Sequence, residues 1–570
     1  MRRYGSILLV AVLVVTGFLL LGQGIRLWSE WREAREISAQ AGRLEENVRP
    51  LAYRITLTID PTSDHFFGEA SIRIHLAQAR RAIWLHGRGL KIRSAMATDA
   101  RGRHVRARWK TLGERGLARL LLGETLARGE ALLHLRYEGR ISKSGEGLFR
   151  VRRAGRSHVF SQMQPIAARS VFPAFDQPNF KTPFEISVRT PPGNRVISNA
   201  PLAGLERGRD GWRTWKFQPS RPLPTYLVAL AVGPLVEVGE TNAMQRRPPM
   251  RAFGVSGDAD RRALSRLLGN ARILLGDLEG FFRHPYPFAK LDLLAVPDFA
   301  PLGMENAGAV MLRESLVAAF ADAPDPLVHP PGSRRWREWL AADPRHYRAV
   351  HWLIHQLAHQ WIGNLVTPAW WSDLWFSESF GRWVADHELR RLTGDDGLVD
   401  LKAGLRALRA MEFDVGERAR PLHRRIVTTD DILTVFDPPL YDKGASVIAM
   451  IERFSKRDVW RRVWHHLLAS HAGSNIDTAT LGDALATVTG DPEIAGSLAD
   501  FVHLTGVPLL EISGRCVPAG DDSREFPVRV AQSRFRPFTP SSSAVVPPDA
   551  GWRIPLCLNF GQGQGRPEGI

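Results

Sequence analysis

The sequence predicts an α+β protein. An antiparallel β domain comes first, a mainly helical domain follows, and a small C-terminal β domain begins near the end, all behind an N-terminal transmembrane helix. Three observations predict this order. Apolar and polar residues alternate at period two through the first third of the chain. Helical periodicity takes over near Arg261 and holds to about Asp500, and past Pro508 short alternating runs return.

Taken in order, Arg2 and Arg3 precede an apolar run, Ser6 to Ile25, which Arg26 ends and which Trp28 and Trp31 flank. The run is long enough to cross a hydrocarbon core as a helix. The small-residue triplet Ala39-Gln40-Ala41 lies too far beyond it for signal cleavage, so residues 1–28 read as an uncleaved anchor. With Arg2 and Arg3 in the cytoplasm, this is a single-pass membrane protein with its body extracytoplasmic. Residues 29–49, with the charged run Glu30 to Glu46, are expected to form a helical stalk.

Residues 50–240 form the expected β domain. Tyr53 to Asp60 and Ala70 to Leu76 alternate cleanly, with Pro61 and Gly68 as breaks. Ala131 to Leu135, Phe184 to Val188 and Tyr226 to Val232 read as further strands. Residues 241–508 are the helical domain, with a Pro/Arg-rich surface loop expected at Asp322 to Trp336. In the last segment, 509–570, Phe526 to Val530 and Trp552 to Leu558 read as strands around a Ser/Pro-rich linker at Thr539 to Pro548.

A chain of 570 residues is too long for one core and implies several domains. Its formal net charge is +17, carried mostly by arginine. The charge reads first as a composition bias spread over solvated faces; no element interleaves basic and aromatic residues along one face, which argues against a nucleic-acid groove and makes attraction to anionic lipid the expected consequence. Cys516 and Cys557 allow one disulfide and have no metal-binding spacing.

The chemistry concentrates between Tyr347 and Leu389. Asp343-Pro344 starts a helix, as a capping carboxylate followed by a proline in the first turn. His355 and His359 lie one turn apart on its face, and a second helix, Asp373 to Leu389, carries Glu378. Two imidazoles and a carboxylate with a fourth position open to water are the ligand set of one catalytic zinc ion. The string reads His355-Gln356-Leu357-Ala358-His359, so an amide stands where His-Glu-x-x-His metallopeptidases carry their general base.

These residues resemble the zinc aminopeptidases of the aminopeptidase N and leukotriene-A hydrolase type, gluzincins with a thermolysin-like catalytic domain. The likeness rests on His355 to Thr367, on Trp370 to Glu378 and on the spacing between His359 and Glu378. It also rests on Pro297 to Gly308, similar to the family's Gly-Ala-Met-Glu-Asn motif, and on Tyr441 to Val447. Phe172 to Pro178 and Thr225 to Gly233 match its N-terminal β domain. Leu302 and Gly303 depart from the motif, and the last segment is expected to be the start of the family's small β-sandwich, which in the family precedes a large helical domain.

The resemblance implies roles. Glu305 would bind the free α-amino group of a peptide, with Gln164 as a second contact. Gly303, Met304 and Asn306 would meet the substrate backbone in the manner of an added strand. Tyr441 would donate its O–H to the developing oxyanion. Asp373 reads equally as an acceptor orienting a ligand imidazole and as a helix cap. Gln356 can hydrogen-bond a water but cannot carry its proton. Two functions follow: a membrane-anchored zinc aminopeptidase, impaired at its base, and a catalytically inactive relative that binds peptide or protein N-termini. Gln164 alone speaks for a third, non-peptide hydrolysis of the leukotriene-A hydrolase kind.

Overall fold

The computed structural model describes residues 42–239, 248–255, 258–325, 328–329, 332–394, 396–455, 458–514, 528–536, 551–557, 559–560 and 568–569. The anchor expected at 1–28, the stalk up to residue 41 and Cys516 lie outside the described residues. Among the described residues no helix is long and apolar enough to cross a membrane. The stalk helix expected to reach Glu46 does not include Gly42 to Glu46, which run as turns and irregular chain. Leu44 is buried there, and its N–H donates to Gln177 Oε1 at 2.9 Å, so this stretch packs on the β domain.

The β domain begins with Val48–Thr58 (β1), His65–Leu76 (β2) and Gly129–Arg140 (β3), neighbours in a ten-stranded sheet. Along β2 and β3 buried and exposed side chains alternate, so Ile72, Ile74, Leu133 and Leu135 face the core while the other face is wet. Arg156–Gln162 (β4) belongs to a second, four-stranded sheet. Phe184–Thr190 (β5) returns to the first and runs parallel to β1, a departure from the wholly antiparallel expectation. The strand expected from Tyr226 starts only at Leu230; Thr225–Leu227 is a 3-10 turn before Leu230–Gly233 (β6), which pairs with β4.

Val236–Gly239 (β7) pairs with Met250–Gly254 (β8), so the boundary expected at 240/241 falls inside a strand pair. After the helix Asp258–Phe282 (α1), Leu291–Val296 (β9), Gly303–Met304 (β10) and Ala309–Arg313 (β11) complete a five-stranded sheet of order β7-β8-β9-β11-β10. The helical period from Arg261 hid this sheet, because β9 is buried on both faces and carries no alternation. Arg334–Trp336, expected in a loop, already lie in the helix Arg334–Ala342.

Two helices then build the centre. Pro344–Ala358 (α2) starts as expected: Asp343 accepts the Arg345 N–H at 2.8 Å and Pro344 fills the first turn. It ends one residue before His359, which stands at the C-cap, and Gly363 turns the chain at φ 118°. Thr367–Pro368 (β12) leads into Leu374–Thr393 (α3), closed by Gly394 at φ 60°. Asp396–Asp414 (α4) and Pro438–Phe454 (α5) pack beside α3, and Asn475–Ile476 (β13) pairs with β12. Pro508–Gly514 and Val528–Arg534 form the C-terminal strand pair. Trp552, expected to open a strand, is buried in non-strand chain and exchanges main-chain bonds with the Gln532 amide.

Candidate active site

Three side chains converge between α2 and α3. His355 Nε2 and His359 Nε2 are 3.0 Å apart, and Glu378 Oε2 lies 3.3 Å from the first and 3.5 Å from the second. All three residues are buried. A tetrahedral ion with bonds of about 2.0–2.1 Å has ligand atoms about 3.3 Å apart, so the three atoms already outline one face of such a site. The donor set also fits, with two neutral imidazoles, one carboxylate and a fourth direction open. Among the described residues this is the one group of three such side chains within reach of a shared ion.

Outer contacts fix His359, while His355 Nδ1 has no partner among the described residues. His359 Nδ1–H donates to the Ile362 carbonyl at 2.9 Å, so that Nε2, once it gives up its proton, is the nitrogen facing the metal position; Ser377 Oγ lies 3.2 Å from the same Nδ1. Gly381 does comparable work by absence. A Cβ there would stand 2.8 Å from His355 Nδ1, so only glycine lets α3 approach this closely. Asp373 neither orients a ligand imidazole nor caps α3 through its side chain. It accepts from the Thr478 N–H and O–H at 3.0 and 2.8 Å and faces His423 Nε2 at 3.4 Å, tying the start of α3 to the start of the later helix Thr478–Thr489.

The electrostatics match a cation-binding centre. Burial raises the Glu378 carboxyl, but the His359 charge and hydrogen bonds from both imidazoles outweigh it and hold the group well below the usual range. Burial lowers His359, yet the Glu378 and Glu305 carboxylates prevail and lift it to about 9. Burial and the neighbouring His359 push His355 down to about 3.

A second group of residues adjoins the triad. Glu305 follows β10 and is pushed up to about 7 by burial, with His359 pulling the other way. Gln164, from the β domain, donates its Nε2–H to Glu305 Oε1 at 3.0 Å. The Glu305 carbonyl is itself held, accepting from Gln360 Nε2 at 3.0 Å and from Asn364 Nδ2 at 2.7 Å. Gly303 and Met304 form the edge strand β10, paired on one side with β11 through Leu312 and Met311. Both side-chain amide atoms of Asn306 are buried with no partner among the described residues.

Gln356 lies between the two groups, 2 % exposed, with its Oε1 unpartnered. Its side chain occupies the space a Cβ on Gly303 would need, at 2.9–3.0 Å. Tyr441, in the first turn of α5, has its ring 6.3 Å from that of His355 and its O–H toward Glu378. Burial raises its hydroxyl first, the two carboxylates add to this, and the Arg382 guanidinium, 5.3 Å over its ring, opposes them. The structure therefore brings His355, His359, Glu378, Gln356, Tyr441, Glu305, Gln164, Gly303, Met304 and Asn306 together around one site. Sequence reasoning missed Gln360, Asn364, Ser377 and Gly381. Only Gly381 left a signal, as a glycine inside a helix one turn past a ligand.

Comparison with known proteins agrees with this geometry. Residues 49–227 match the peptidase M1 N-terminal domain and residues 337–503 the peptidase family M1 domain, together more than half of the chain. The chain is 28% identical over 385 residues to probable aminopeptidase 1 of Saccharolobus solfataricus, covering 67% of this chain and 46% of that protein. It is 26% identical over 533 residues to aminopeptidase M1 of Arabidopsis thaliana (91% and 56%) and 28% over 465 residues to endoplasmic reticulum aminopeptidase 1 of Homo sapiens (80% and 47%). The chain thus spans about half the length of the curated relatives it matches. Proteins with these domains bind one zinc ion, and His355, His359 and Glu378 are the residues placed to hold it.

Proposed function

The chain belongs to the peptidase M1 family, and on that premise we propose that it binds the free N-terminus of a peptide and removes the N-terminal residue slowly. The observation that carries this is the adjacency of the two groups: the Glu305 carboxylate, held by Gln164, is within electrostatic reach of His359 and Glu378, and its carbonyl is bonded to Gln360, next to His359. An amine anchored there puts the first peptide bond, and not a later one, near the metal position.

Zinc, when bound, supplies a Lewis acid and lowers the pKa of a coordinated water. The chain's own residues do the rest. Glu305 accepts the charged amine, and Gln164 holds the carboxylate in place. β10 offers its free edge to the substrate backbone, and the orphaned Asn306 amide is available to a peptide group. Tyr441 donates to the oxygen on which negative charge develops. At Gln356 the sequence of proton transfers stops. Its amide accepts or donates a hydrogen bond at the attacking water but cannot take the proton and pass it to the leaving amine.

That same amide favours a second reading, in which the cleft retains peptide or protein N-termini without turning them over. Zinc analysis and aminoacyl-p-nitroanilide hydrolysis, on the parent and on Gln356→Glu, separate the two. The first reading expects about one zinc per chain and slow, chelator-sensitive release by the parent. Zinc-loaded parent with no release above the chelated control, yet with peptide bound, supports the second. A parent as fast as Gln356→Glu would place the base elsewhere. The apolar run Ser6–Ile25 further supports attachment to a membrane with the body extracytoplasmic. Alkaline extraction and protease accessibility of intact cells test that.

A further inference from the structure

The β domain touches the amine anchor directly through Gln164. A second residue of that domain reaches it from behind. Lys181 precedes β5, and its Nζ donates to the main-chain carbonyls of Asn364 at 3.0 Å and Leu365 at 2.8 Å, with Ser474 O at 3.4 Å. These first two carbonyls belong to the turn that follows His359, where Asn364 N–H returns to the His359 carbonyl at 3.0 Å. The side chain of the same Asn364 donates to the Glu305 carbonyl at 2.7 Å.

Lys181 is thus two hydrogen bonds from the main chain of Glu305, by way of a buried asparagine that is 1 % exposed. The route is short and stiff. Gln360 makes a parallel bond to the same Glu305 carbonyl at 3.0 Å and accepts the Gly308 N–H at 3.2 Å, which closes the turn against the segment that carries Glu305. A bond from an ammonium to carbonyls is among the stronger kinds, and Lys181 is half-buried in the seam between domains where it makes them. Burial pushes this amine down to about 7, and the neutral form still keeps two N–H donors for the two nearest carbonyls. Asn475 Nδ2 crosses the same seam, donating to Pro178 O at 3.0 Å. Its other bond goes to Pro368 O at 3.1 Å, within the β12–β13 pair and with no bond on to Glu305.

We propose that Lys181 is a positioning residue for the amine anchor: by clamping the Asn364 turn to the β domain it fixes where Glu305 presents its carboxylate. Recognition of a peptide N-terminus then depends on the β domain twice, at the carboxylate through Gln164 and at the main chain through Lys181. This rests on reading Glu305 as the amine anchor.

The test is the affinity of the zinc-loaded full chain, in detergent, for a fluorescent pentapeptide with a free N-terminus, divided by its affinity for the N-acetylated peptide. A general loosening lowers both affinities; a displaced anchor lowers the ratio. Lys181→Met is expected to lower the ratio about tenfold with zinc content unchanged. Lys181→Arg, which can still donate to both carbonyls, is expected to restore most of it, and Asn475→Ala, the control across the same seam, to leave it unchanged. Should Lys181→Met fold poorly, Lys181→Arg together with Asn364→Leu carries the test, with Asn364→Leu expected to show the loss and the arginine to escape it. A ratio in Lys181→Met or Asn364→Leu equal to the parent's, or a loss as large in Asn475→Ala, overturns the positioning role. A parent that does not distinguish the two peptides overturns the amine-anchor reading, and the proposal with it.

Discussion

The site has two halves, and they are built differently. The metal half comes from the last turn of α2 with its C-cap and from one turn of α3, with all three ligands buried and the outer partner of His359 close by in sequence. The amine half is assembled from the segments after β4 and after β10 and the turn after α2, across two domains. Between them sits Gln356. Both binding halves are furnished with partners, while the position that should move a proton holds an amide. Affinity and turnover are therefore separable in this chain, and the experiments that matter change one without the other.

The sharpest way to break the contrast is at Gln356. If only the proton carrier is wanting, Gln356→Glu raises kcat by about 10²- to 10⁴-fold with zinc content and peptide affinity little changed. Aminoacyl-p-nitroanilide kinetics with parallel metal analysis measure all three. A fall in KM alone would mean that the glutamine disturbs binding instead. In that Gln356→Glu background Tyr441→Phe should cost about 10²- to 10³-fold in kcat and leave KM nearly alone, because its O–H serves a charge present only in the transition state.

Next in size is the pH dependence of the metal half. Without metal, His359 holds a proton up to about 9, since the Glu378 and Glu305 carboxylates outweigh its burial. Zinc must displace that proton, so its affinity rises with pH toward about 9 and falls about tenfold per unit below. Chelator competition at several pH values reads the slope, and calorimetry at neutral pH in two buffers should show close to one proton released. The sign for folding runs the other way. A histidine raised from 6.5 to about 9 stabilises the metal-free protein fully below 6.5 and loses that contribution as pH rises through 9. Zinc binding and metal-free stability should therefore move in opposite directions across this window, and parallel movement would remove His359 as their common cause.

How much of each half the sequence disclosed follows from the same difference. The metal half was legible because its ligands sit at helical spacing within a short stretch, and Asp343-Pro344 marked the helix start. His359 proved to lie at the helix end because Gly363 turns the chain, a detail that periodicity does not resolve. The amine half gave up Glu305 and Gln164 only through family likeness, since no local period joins residues so far apart. Gln360, Asn364 and Lys181 were silent: each acts through a main-chain carbonyl, and carbonyls leave no trace in side-chain pattern. The sheet of β7 to β11 was hidden for another reason, as a strand buried on both faces reads like any short apolar run.

Gly381 offers a smaller, cleaner probe of the metal half. Gly381→Ala places a methyl 2.8 Å from His355 Nδ1, so the imidazole or α3 must shift. Zinc affinity should fall about 10- to 100-fold, in the range seen when a ligand's outer contacts are disturbed. Alanine is the better helix former, so secondary structure should be kept and the loss confined to metal binding. Equal zinc affinity would show that the close approach of the two helices is incidental.

Asp373 carries the smallest effect and the most direct check on what belongs to the site. Sequence context allowed it to orient a ligand imidazole, but its carboxylate is spent on Thr478 and His423. Asp373→Ala therefore should leave zinc affinity within about twofold, since no ligand loses a partner, while removing two hydrogen bonds worth about 1 kcal/mol each. The His423 pKa, raised first by its bond to Asp373, should drop in the same variant, which NMR titration of the ring would detect. A large fall in zinc affinity without loss of stability would return Asp373 to the metal half. The opposite pattern would confirm that α3 is braced at its N-terminus by a contact independent of the chemistry one turn further on.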